Sequence, residues 1–132
     1  MSKQVAQAIV QPQEAFPNGA DHTDKAGQAV RLNAGVSTLV TSDTALTAFG
    51  AIQEGGQSGE DDTIVAFAAG SKCQLKANAT PGAIVAGSRV AVHTDSTFKL
   101  AASGKAVCGI ALESAGAGQL FWARTIVPVL EA

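Results

Sequence analysis

The side chains that could give up a proton, attack a carbonyl or hold a metal are few in this chain, and they are scattered. His22 stands in GADHTD beside Asp21 and Asp24, and His93 ends the run RVAVHT. A metal site needs three or four ligands converging from a recognisable spacing. Neither histidine has such partners, so both are read as surface or strand-end residues. Cys73 and Cys108 form no Cys-x-x-Cys pair. Cys108 lies in the small-residue run AVCGIALE with no adjacent cation or helix start to lower its pKa, so a buried free thiol is expected. The enzymatic rival is a thiol catalyst that joins Cys108 to His93 across the fold, and nothing local supports it. Glu60, Asp61 and Asp62 end the polar stretch QEGGQSGEDD, whose spacing matches no calcium loop, and they read as a solvated, mobile loop. No Gly-x-Gly-x-x-Gly, Gly-Lys-Ser/Thr or Gly-x-Ser-x-Gly motif occurs. The expectation is a protein with no catalytic residue, no cofactor and no metal.

Composition narrows the class further. The chain has 132 residues, 46% hydrophobic but only 5% aromatic with no Tyr, so a core must be assembled from Ala, Val, Ile and Leu. That length suits one domain. Charged residues make up 15%, below the ~25% of average domains, and the nine Lys and Arg are spread from Lys3 to Arg124 without a cluster in sequence. A nucleic-acid binder usually carries a basic footprint, so nucleic acid is set aside. A weakly charged surface favours association instead. No apolar run approaches the ~20 residues of a membrane span, and the N-terminus lacks the long apolar core of a signal peptide, so neither membrane nor export is expected.

The elements that must position these residues are strands. From Ala29 onward come AVRLNAG, STLVTS, TIVAFAAG, KCQLKAN, SRVAVHT, TFKLAAS, AVCGIALE and QLFWARTIVPVL, each bounded by Gly, Asn, Asp or Ser. They predict a mainly β fold, a single small sandwich-like or barrel-like domain over residues 28–132. One short helix is expected at SDTALTAFGAI, where Leu46, Phe49 and Ile52 fall at helical spacing behind Ser42 or Asp43. Gly70, Gly87 and Gly104 recur every 17 residues, each before a strand, as in a meander with similar loops. Residues 1–27 carry two of the four prolines and read as an extended arm with a short strand at Val5–Val10. The arm's apolar members, Val5, Ile9, Val10 and Phe16, either tuck into the chain's own sheet or reach a neighbouring molecule.

The ribbon QLFWARTI is the most informative stretch. Alternation puts Leu120, Trp122, Arg124 and Ile126 on one face and Phe121, Ala123, Thr125 and Val127 on the other, so both faces are largely apolar. Such a strand lies between two packed layers or is covered by another subunit. Trp122 is then core, or with Arg124 it belongs to a subunit interface, where that residue pair is enriched.

Residues 81–126, PGAIVAGSRVAVHTDSTFKLAASGKAVCGIALESAGAGQLFWARTI, resemble the C-terminal half of the small capsid decoration, or cement, proteins of tailed bacteriophages. The resemblance rests on Pro81-Gly82, on Ala86-Gly87-Ser88 with Val90 and Val92, and on Gly109-Ile110-Ala111-Leu112-Glu113 followed by Gly118. It covers the last third to half of the chain. EDD and SDTALTAFGAI have no counterpart in it. The resemblance implies a β-rich homotrimer that is made in the host cytoplasm, ends on the virion, and binds the major capsid protein at local three-fold positions. There it would reinforce the shell without catalysis. On that reading residues 1–27 make the leading capsid contact. The rivals are another virion module, such as a head fibre, tail piece or glycan-binding adhesin, and the thiol enzyme above. Glycan binding relies on exposed aromatics, and five Phe and one Trp supply few.

Overall fold

A computed structural model describes residues 13–44 and 46–132. Val5, Ile9 and Val10, and the short strand expected there, lie outside the described residues. The rest is all β, as the strand punctuation implies, in two five-stranded antiparallel sheets packed as a sandwich.

Sequence order maps directly onto the layers. The first sheet, in spatial order β1-β5-β4-β2-β3, contains β1 (Glu14–Pro17), β2 (Ala29–Asn33), β3 (Val36–Leu39), β4 (Gly50–Glu54) and β5 (Asp61–Ala66). The second, in order β6-β10-β9-β7-β8, contains β6 (Lys72–Lys76), β7 (Arg89–Val92), β8 (Phe98–Leu100), β9 (Ala106–Ala111) and β10 (Leu120–Leu130). Ala29, Ala51 and Val65 from the first sheet meet Leu75, Val90, Phe98, Phe121 and Ala123 from the second in one core. Small side chains on one layer and larger ones on the other let the sheets approach closely.

The first sheet buries its other face as well. Val30, Ile52 and Ile64, one position along from the residues in the shared core, form a second cluster with Phe16, Leu39 and Phe49 packed on it. Phe16 and Phe49 meet edge to face at 5.4 Å. An isolated parallel bridge between Asn18 and Ser37 brings the two edges of this sheet together, so it curls towards a small barrel. Phe16 therefore tucks into the chain's own sheet. Residues 14–27, expected as part of the arm, are woven into the domain through β1 and through buried Asn18, His22 and Gly27.

Two further expectations are corrected. No helix forms at residues 42–52 among the described residues. Instead the segment spans from β3 to β4. Val40 N–H donates to Ala29 O at 3.0 Å, Phe49 N–H donates to Val30 O at 2.8 Å, and Asp43 O accepts from Ala106 N–H at 2.8 Å. Two threonines and a glycine give the segment little helical preference, and these strand-edge bonds take the backbone groups a helix would need. The second sheet is also not a simple meander, because β9 pairs with β7 rather than β8, and β6 pairs with β10. The 17-residue rhythm marks turns. Gly70, Gly87 and Gly104 all have positive φ, 88°, 94° and 78°, two residues before β6, β7 and β9.

The sheets are tied at one corner. Gly27 N–H donates to Ile52 O at 2.7 Å, while Gly27 O accepts from Lys76 N–H at 2.9 Å, linking β4 to β6. With φ at +83°, a Cβ here would stand 2.6 Å from Leu120 Cδ2 and 2.7 Å from Lys76 N.

Candidate functional site

The alternation of β10 divides it between two environments. Phe121, Ala123 and Thr125 point into the sandwich and are fully buried. Leu120, Trp122 and Arg124 point outward, beside Lys72, Gln74 and Lys76 of β6. Trp122 is thus neither core nor free. It is half-buried on the outer face, with the Lys72 ammonium 5.1 Å from its ring centroid and its N–H donating to Glu113 Oε2 at 2.8 Å through the backbone. Past Thr125 the register with β9 shifts, and this bulge turns Val127 outward to 60% exposure. Of the large apolar side chains more than a third exposed among the described residues, Leu120, Val127, Val129 and Leu130 all come from this one strand.

Cations that are scattered in sequence are gathered here. Register sets Lys72 directly opposite Arg124 and Lys76 opposite Leu120. Like charges opposed across a ladder repel. Arg124 reaches only the carbonyl of Gly70, at 3.4 Å, and neither Lys72 nor Arg124 has a carboxylate within 4.0 Å among the described residues. Arg89 lies farther across the same sheet and is paired with Glu131 at 3.0 Å.

The two sheets differ in charge. Residues 13–66, which build the first sheet, carry eight carboxylates and two basic side chains, whereas residues 67–132 carry three and six. Glu60 and Asp61 are exposed where the chain enters β5. Glu60 O accepts from Asn18 N–H at 2.9 Å, and His22 N–H donates to Gly56 O at 2.9 Å, which brings exposed Asp21 to the same end.

Asp62 behaves differently from its two neighbours, and the solvated-run reading fails for it. It is wholly buried, receiving His22 Nδ1–H at 2.6 Å, Ser37 Oγ–H at 2.7 Å, Asn18 Nδ2–H at 2.8 Å and the Gly56 N–H at 3.0 Å. Burial pushes its pKa up, but these donors outweigh it and hold the carboxyl below its ordinary value. His22, expected at the surface, is 3% exposed in this cluster. The signal was present: strand alternation puts Asp62 on the same face as Ile64. Ser37 and His22 both address the carboxylate rather than each other, so this is a polar plug closing one end of the curled sheet and not a relay to a nucleophile.

Cys73 and Cys108 are free and fully buried, and burial pushes both thiols up to about 12. The Cys108 thiol faces Ala106 O at 3.6 Å. His93 is half-buried beside a shallow depression shared with Asp43, Lys99 and Lys105, and the described hydrogen bonds do not join it to Cys108. Among the described residues no group of three or more His, Cys, Asp or Glu is placed to hold a metal ion.

No family model matches the chain, and no curated protein matches it. A solved structure does. The crystal structure of the head fiber gp8.5 N base in bacteriophage phi29 aligns with 93% of this chain and 100% of its own, with a TM-score of 0.65 at 15% sequence identity. The two share a fold. At that identity the likeness concerns the arrangement of strands, and the residues at the faces described above are this chain's own.

Proposed function

We propose that this chain is a structural protein of a bacteriophage head, a decoration protein that sits on the outer surface of the shell, binds the major capsid protein and associates with copies of itself as a homotrimer. The observation that carries this reading is the shared fold with a head-fibre base over nearly the whole chain. It is supported by the resemblance of residues 81–126 to cement proteins and by the apolar, cationic outer face of β10. No catalytic step belongs to the reading. Its usefulness comes from contact area repeated over many copies, where modest individual energies add up across a shell.

Residues 1–12 are the leading capsid contact in this proposal, with Val5, Ile9 and Val10 as its apolar members. Phe16 serves the domain instead, so a deletion that tests the arm must stop before β1. Removing residues 2–12 is expected to leave a folded domain that no longer coats expanded heads, measured by co-sedimentation with heads and by electron microscopy. Undiminished coating by the truncated chain overturns the arm's role, and failure of the full chain to bind any head overturns the reading. The second reading, that the domain is the base of a head fibre, is favoured by the same structural match. Electron microscopy separates the two: a decoration protein covers the shell as compact knobs, whereas a fibre base carries a projecting shaft.

A further inference from the structure

We propose that the outer face of β6 and β10, with Trp122 flanked by Lys72 and Arg124, docks on the acidic end of a second copy of this chain at Glu60 and Asp61, so that copies associate head to tail. This rests on the self-association in the proposed function and deepens it by naming the two faces.

Three observations converge on the first face. Leu120, on the same face two residues from Trp122, is 45% exposed, and Val127, Val129 and Leu130 farther along β10 add exposed apolar surface on the same strand. A large aromatic and an arginine lie side by side at its centre, the combination that carries most energy when desolvated against a partner. Lys72 and Arg124 oppose each other with no carboxylate within 4.0 Å among the described residues, a local cost that an incoming anionic surface would remove.

The chain itself carries the complement. Residues 13–66 carry eight carboxylates against two basic groups, and although Asp62 is buried and Asp43 is paired with Lys105, Glu60, Asp61 and Asp21 are exposed together at one end. A single copy cannot satisfy its own outer face, because the acidic end and the cationic face belong to different layers fixed by a shared core. A second copy can. Face and end are different patches, so the contact is heterologous. Such a contact propagates as an open chain or closes as a ring, and only a ring has no unsatisfied faces.

The experiment is sedimentation velocity on the free full-length chain across a concentration series at 50 mM and 500 mM salt. Association that weakens at least ~10-fold at high salt is expected for a contact of this kind. Two charge reversals follow, Lys72→Glu with Arg124→Glu in one chain and Glu60→Lys with Asp61→Lys in another. Each alone is expected to lose association by at least ~10-fold, while an equal mixture regains it as alternating pairs or even-membered assemblies, because every junction between unlike variants joins opposite charges, whereas a three-membered ring of the two would keep one like-charge junction. Recovery in the mixture also shows that both variants are folded. The proposal is overturned if the parent chain stays monomeric throughout, if either variant associates like the parent, or if the mixture shows no recovery. A Lys72→Glu, Arg124→Glu chain that self-associates like the parent would mean that the face belongs to a foreign acidic partner and not to a second copy. The measurement uses no heads, so its failure leaves capsid binding standing, and failure to coat heads leaves this contact standing.

Discussion

Four donors converge on Asp62 inside the domain, and the consequences belong to that one carboxylate. His22, Ser37, Asn18 and the Gly56 amide all point at it, so replacing it by Asn would turn an amide NH2 towards donors and leave buried groups unpaired. Asp62→Asn is expected to cost about 3 kcal/mol at pH 7. The folded state holds this carboxyl below the unfolded value of about 3.9, so over that range the unfolded chain binds more protons. Its contribution is therefore fully present above about pH 4 and is lost as pH falls through the depressed folded value. Urea midpoints of parent and variant should stand well apart at pH 7 and draw together near pH 3. A gap that stays constant with pH would mean that the carboxylate is not the stabilising species.

Elements are held in place here by close backbone approach, and Gly27 is where that is most demanding. The corner joins β4 to β6, and the site of a missing Cβ is already occupied by Leu120 Cδ2 and the Lys76 amide. Gly35, in the tight connection between β2 and β3, has nearly the same positive φ, +80°, but nothing within 4 Å of its absent Cβ. Gly35→Ala should then cost only the backbone penalty, about 1 kcal/mol, whereas Gly27→Ala adds overlap with another strand and should cost about 3 kcal/mol or more. Equal denaturation midpoints for the two variants would contradict this corner. The same distinction explains what could be read from the sequence. Turn residues are local signals, so β2, β3 and β5–β10 could be placed from Gly, Asn and Asp punctuation. β4 was hidden because Gly50, Ala51, Ile52 and Gln53 are all buried, which leaves no alternation to read, while Leu46, Phe49 and Ile52 imitate helical spacing. Alternation within β10 places Trp122 and Arg124 on one face, but whether that face is core or surface depends on the packing of the sheet. Lys72 could not join them on paper, since register with a strand some fifty residues away decides who faces whom. Asp62 differs for the converse reason: composition reads its charged run as solvated, whereas strand position decides its burial.

At the scale of the molecule, sequence halves and layers coincide, and this raises the question of whether each half could fold alone. The packing argues that neither can. The first sheet offers the shared core only small or β-branched side chains, Ala29, Ala51 and Val65 among them, while Leu75, Phe98 and Phe121 of the second fill the space between. Neither layer buries its inner face without the other, so the sandwich should open as one cooperative unit. Leu75 is fully buried at that seam, and Leu75→Ala should remove roughly 3 kcal/mol. Native-state amide exchange gives a reading in each layer, at Ile64 in β5 and at Val107 in β9, both wholly buried. A loss of protection equal at the two amides is what one shared core requires, even though the mutated strand belongs to only one of them. A loss confined to Val107 would mean that the first sheet, with its own cluster of Val30, Ile52 and Ile64, stands by itself. The fixed separation of the acidic end from the cationic face, on which a contact between copies relies, would then have no physical basis.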